Sequence, residues 1–101
     1  MSENDRLNSV KDTENEKKLK RYALNDPSDK VREIAASKIS DQILLAYIAC
    51  NDKSMNVVRN AVKNIHDEYE LKNVIIFLIN SFLVLLSIVI ISIYITYSKS
   101  I

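Results

Sequence analysis

The chain has 101 residues, with 14 lysines and arginines against 13 aspartates and glutamates and a formal charge of +1. A balance this close to neutral excludes a global field drawing the protein onto nucleic acid, and the absence of glycine excludes the glycine-rich phosphate cradles of nucleotide-binding folds. One cysteine, Cys50, and one histidine, His66, offer neither an internal disulfide nor a metal cluster, so no metal site, cofactor or oxidising compartment is expected.

Residues 1–13 are polar and poorly periodic, which predicts a disordered N-terminal tail. No apolar run of six residues occurs in the first 25, so no secretory signal peptide is expected. Lys17, Lys18, Lys20 and Arg21 follow Glu14 and Glu16. They read as a solvated helix face, with attraction to anionic headgroups as the alternative.

Residues 14–72 contain an internal repeat. A shift of 26 residues lays Asn25 and Asp26 on Asn51 and Asp52, Ser28 on Ser54, Val31 on Val57, Ala35 on Ala61, Ile39 on Ile65 and Asp41 on Asp67, without a gap. Leu19, Leu45 and Leu71 continue the same spacing, and a period in this range marks stacked helical units. Each period predicts two short helices. Asp26 is expected as an N-cap with Pro27 at the first helical position, and Val31, Ala35 and Ile39 form a buried stripe widened by Ile34. Asp41 or Ser40 restarts the chain for a second helix bearing Ile43, Leu44, Leu45, Ile48 and Ala49. Asn51 and Asp52 are expected to cap the next helix, with Val57, Val58, Ala61, Val62 and Ile65 on its inner face. Two complete units flanked by half-units are fewer than a free-standing array needs, so something is expected to cover an open end: a second copy, a partner or the membrane surface.

The phrase NDPSDKVREIAASKISD, residues 25–41, resembles the short HEAT-like repeats of helical solenoids. The resemblance covers residues 19–71 and implies an all-α fold, a short α-solenoid of antiparallel helix pairs whose usual role is holding other proteins. In that family an aspartate-containing turn precedes a valine-arginine pair. Here Arg32 follows Val31, but Val58 follows Val57 and the arginine slips to Arg59, which puts an Asp52-to-Arg59 rung of a stacked ladder in doubt.

Residues 73–98 read as one transmembrane helix, with a short tail at 99–101. From Val74 to Tyr97 there are 24 uncharged residues, 17 of them Val, Ile, Leu or Phe. At ~0.4 kcal/mol each, these contribute an insertion term of order 7 kcal/mol, against about 3 for a single mid-membrane charge. A helix this long reaches about 36 Å, enough for a hydrocarbon core of about 30 Å. No Pro or Gly interrupts residues 68–97, so the last repeat helix is expected to run on into the span. Lys63 and Lys72 precede it, with Arg59 near the edge of the counting window, and Lys99 follows. The bias places the N-terminal part in the cytoplasm, at a prokaryotic cytoplasmic membrane or at the endoplasmic reticulum of a eukaryote. With four residues after Tyr97, the arrangement resembles tail-anchored membrane proteins.

Catalytic chemistry is not expected. Cys50 reads as a buried structural thiol, His66 as a solvated or capping residue, and Asp67, Glu68 and Glu70 as a helix start favoured by the macrodipole. The expected function is a membrane-tethered adaptor, scaffold or accessory subunit that engages a protein partner through its repeat surface. Lys30, Arg32, Lys38, Lys53, Arg59 and Lys63 are the candidate contacts. The alternative is a small transmembrane oligomer, a homo-oligomer included, that regulates a membrane partner or forms a minor pore. Its working face is the heptad-spaced polar stripe Asn80, Ser87 and Tyr94, which falls on one side of the helix.

Overall fold

Residues 1–100 are described by a computed structural model, and helix is the regular structure throughout them. The helices are α1 (Glu3–Asp12), α2 (Glu16–Asn25), α3 (Asp29–Lys38), α4 (Gln42–Asn51), α5 (Met55–Lys63) and α6 (Glu68–Ser100). Their starts fall at a regular interval. Ser2, Asn15, Ser28 and Asp41 each accept a backbone N–H from the first turn of the following helix. Asp67 accepts the Glu70 N–H at 3.1 Å ahead of α6. Short polar side chains are the usual N-caps because their oxygens reach the orphan donors of the first turn. Ser54 holds the same place before α5, but its hydroxyl donates to Asp29 Oδ2 instead of accepting.

These positions correct the expected caps. Asp26 and Asp52 close α2 and α4, and the N-caps of the next helices lie two residues later, at Ser28 and Ser54. Each aspartate folds back onto its own turn: Asp26 Oδ1 accepts from the Ser28 N–H and Asp52 Oδ1 from the Ser54 N–H, both at 2.9 Å. Pro27 lies in the link between α2 and α3, outside the helix.

The expected disordered tail is also replaced. Residues 3–12 form α1, opened by a capping box between Ser2 and Asp5. Val10 is fully buried, Leu7 packs against the core, and Arg6 bonds Asp26 Oδ2 at 2.8 Å. The polar surface of α1 hid a helix that tertiary contacts hold in place.

The result is an α-solenoid of three successive helix pairs. In one layer α1 packs on α3 and α3 on α5; in the other α4 packs on the first turns of α6, and α2 and α4 bridge to α3 and α5. Val31, Ala35 and Ile39 are buried in α3 and its exit, as are Val57, Ala61 and Ile65 one period later. Alanines at 23, 35, 36, 49 and 61 are buried as well, where small side chains let helix axes approach closely. Leu19 and Leu45 are fully inside, and Leu71 is half-buried at the edge of the array.

Candidate functional site: the repeat surface and the apolar helix

The six candidate cations separate into three groups. Arg32 is only 6 % exposed and has a structural role. Its guanidinium donates to both carboxylate oxygens of Asp52, from Nε at 3.0 Å and Nη2 at 3.3 Å, and to the Asp26 carbonyl at 2.9 Å. Asp52 is therefore a rung of a cross-repeat ladder whose arginine comes from the preceding unit. Arg6 and Asp26 form the rung before it, and the buried Val58 holds the corresponding place in α5. Arg59 stands outside the ladder, exposed, with a 3.4 Å contact to Asn56 Oδ1.

Lys38 is likewise held within the domain. Its ammonium donates to the carbonyls of Val10, Lys11 and Thr13 at the end of α1 and lies 3.3 Å from Glu14. A cation at a helix C-terminus satisfies orphan carbonyls and the negative end of the dipole together. Arg32 and Lys38 thus do not belong to an exposed contact surface.

Lys30 and Lys53 are exposed and flank one open groove of about 640 Å³ with Glu3, Pro27 and Asp29, beside the starts of α1, α3 and α5, and the largely buried Arg32 reaches its floor. Lys63 is exposed on α5, one turn after Arg59. The candidate set therefore does not converge on one site.

A polar clamp fixes the opposite end of the array. The Gln42 carboxamide oxygen accepts from the backbone N–H groups of both His66 and Asp67, and its nitrogen donates to the carbonyls of Ser40 and Asn64. The first residue of α4 thereby holds the two residues that lead into α6, so the two helices start together and run side by side. Glu16, one period earlier, takes the Ser40 hydroxyl in the same manner at 3.1 Å. His66 serves through its backbone N–H, and its ring is exposed.

From this start α6 runs 33 residues without a break. Val74, 1 % exposed, belongs to the repeat core. Phe77 lies one period beyond Asn51, the last residue of α4, so the helix from Leu78 onward projects past the end of the domain. The most apolar 18-residue stretch of α6 has a mean hydropathy of 3.1 and is almost entirely exposed, unlike a core helix. It is one helix long and apolar enough to cross a membrane. Ser87 and Thr96 donate their hydroxyls to the carbonyls four residues back. Asn80 and Tyr94 stand exposed on the helix surface.

Cys50 is half-buried at the end of α4, and burial pushes its thiol pKa up from the ordinary value, away from the reactive thiolate.

Of the residues expected on the second helix, Ile43 is 71 % exposed, and Tyr47 beside it is 57 % exposed. These side chains form an outward apolar strip on α4. The signal was present in QILLAYIACN, a helix with no charged residue on any face.

Comparison with family models, with curated proteins and with solved structures returns no match to this chain. The protein is thus defined by its architecture: an all-α solenoid whose last helix continues as one long apolar segment.

Proposed function

We propose that the protein is a membrane-tethered interaction module. A small HEAT-like repeat domain on the cytoplasmic side engages a protein partner, and residues 78–97 cross the bilayer. The observation that carries this reading is the continuity of α6, which has Val74 in the domain core and an exposed apolar surface from Leu78 onward. Residues 78–97 span about 30 Å as a helix, the thickness of a bilayer's hydrocarbon core. A tether joined without a hinge also orients its domain. The end bearing the α2–α3 and α4–α5 links, with Lys30 and Lys53, then faces the headgroups, and the layer containing α2 and α4 stands upright from the membrane. The HEAT-like assignment is supported by the aspartate turns and by the two arginine-aspartate rungs that tie each unit to the next.

The test is to produce the full chain with an N-terminal epitope in membranes. Resistance to alkaline carbonate is expected, together with digestion of the epitope by protease added on the synthesis side. Release by carbonate refutes membrane anchoring, and a protected epitope refutes the orientation.

A second reading, the transmembrane oligomer, is favoured by one observation. Ser87 lies 18 residues, about five helical turns, beyond the exposed Tyr69, which puts Asn80, Ser87 and Tyr94 on the side of α6 facing away from the repeat core. Replacing residues 78–97 with a plain leucine helix separates the readings. The interaction module keeps its partner, whereas the oligomer dissociates.

A further inference from the structure

Helix α4 has the composition of a buried helix but is covered on one side only. Leu45, Ile48 and Ala49 face the core, whereas Ile43 and Tyr47 face outward. A helix apolar on every face is ordinarily enclosed. The repeat extends this outward strip to both sides. Tyr69, one period after Ile43, is 71 % exposed on α6, and Lys17 and Arg21 hold the positions of Ile43 and Tyr47 on α2. Lys72 is exposed on α6. The face thus has an apolar centre with a basic margin on α2, whereas on α6 Lys72 follows Glu68 and Glu70. The carboxylates of these helices cluster at their starts: Glu16 takes the Ser40 hydroxyl, Asp41 and Asp67 cap, and Glu68 and Glu70 lie in the first turn of α6. Between α2 and α4 a recess of about 130 Å³, lined by Leu24, Tyr47 and Ile48, has room for one side chain.

We propose that this face docks an acidic amphipathic helix of another protein. The apolar stripe of that helix lies on Ile43, Tyr47 and Tyr69, and its flanking carboxylates meet Lys17 and Arg21. Apolar anchors and complementary charge are how grooves select helices, with the charges setting partner choice. The inference rests on the interaction-module reading and names the partner's chemistry.

The experiment uses the full chain in phosphatidylcholine nanodiscs. The probe is a fluorescent synthetic 18-residue helix with a leucine face flanked by glutamates, and the control carries lysines in their place. The acidic probe is expected to bind saturably, more weakly as salt rises, and the basic control not to bind. The double variant Lys17→Glu/Arg21→Glu and, separately, Tyr47→Ala should each weaken binding tenfold or more. Both alter exposed side chains, and an unchanged circular dichroism melt verifies that they fold. Equal binding of the two peptides, or indifference to the charge reversal, overturns the proposal. So does self-association abolished by Tyr47→Asp in a chain that binds neither peptide. Carbonate extraction of the parent membranes keeps the two readings apart. A chain retained in the membrane that binds no acidic probe refutes the docking alone, and a carbonate-released chain that binds it refutes the anchoring alone.

Discussion

Removing the Arg32 guanidinium tests the architecture most directly, because that group joins two repeats inside the domain. In Arg32→Ala the Asp52 carboxylate loses both of its bonds to Arg32, and the Asp26 carbonyl loses its contact as well. The Arg32 and Asp52 side chains are 8 % and 9 % exposed, so water does little to replace the lost partner. Breaking a buried ion pair by deleting one member typically costs about 3–5 kcal/mol. A domain of this size has on the order of 5 kcal/mol in total, so the variant approaches the unfolding threshold. Hydrogen exchange on the full chain in detergent reads the effect, because α3, α4 and α5 should lose protection together. A loss of 3 kcal/mol corresponds to exchange about a hundredfold faster. Arg6→Ala should cost less, about 1–2 kcal/mol, since its one carboxylate bond is partly exposed. Arg59→Ala, outside the ladder, should change nothing beyond about 0.5 kcal/mol. If Arg59→Ala were as damaging as Arg32→Ala, or if Arg32→Ala cost under 1 kcal/mol, the ladder would not be what couples the repeats.

Further outcomes follow from the other contacts. Lys38→Met should release the end of α1 at a cost of about 1–2 kcal/mol, seen as faster exchange in residues 3–12 while α4 stays protected. Val74→Ala should destabilise the repeat domain by about 2 kcal/mol and leave carbonate resistance intact, whereas Val84→Ala should leave the domain unaffected. Burial disfavours the Cys50 thiolate, so its maleimide labelling at pH 7.4 should be slower than that of free cysteine. Its rate should keep rising with pH beyond the point where the free thiol levels off; a profile matching free cysteine would contradict the packed position.

The repeat was legible because local chemistry and periodicity pointed the same way. Leucines at 19, 45 and 71 and the pairs Ala35/Ala61 and Ile39/Ile65 recur at 26 residues, and such positions face the core on every turn of a stacked array. The apolar helix was equally plain, since residues 74–97 carry no charge. Helix α1 was harder to see because Leu7 and Val10 supply too little apolar periodicity by themselves. Its two clues, Ser2 with Ser28 and Arg6 with Arg32, gain meaning only once the frame is extended back to the N-terminus. Two of the six cations were misplaced for a related reason: lysine and arginine are read as exposed by default, although Arg32 and Lys38 have partners in other repeats.

The sequence by itself determined the 26-residue helix repeat, most of the positions it buries and that one segment is apolar enough to leave water. These properties depend on caps, 3.6-residue periodicity and side-chain transfer energies, all of them local. Tertiary structure decided which aspartate each arginine meets, that α1 belongs to the array and that one face of α4 stays uncovered. Those outcomes depend on contacts between residues 20 or more apart, as with Arg6 and Asp26, Arg32 and Asp52, and Lys38 with the end of α1. Stacking of the units creates such neighbours, and a linear pattern does not specify them.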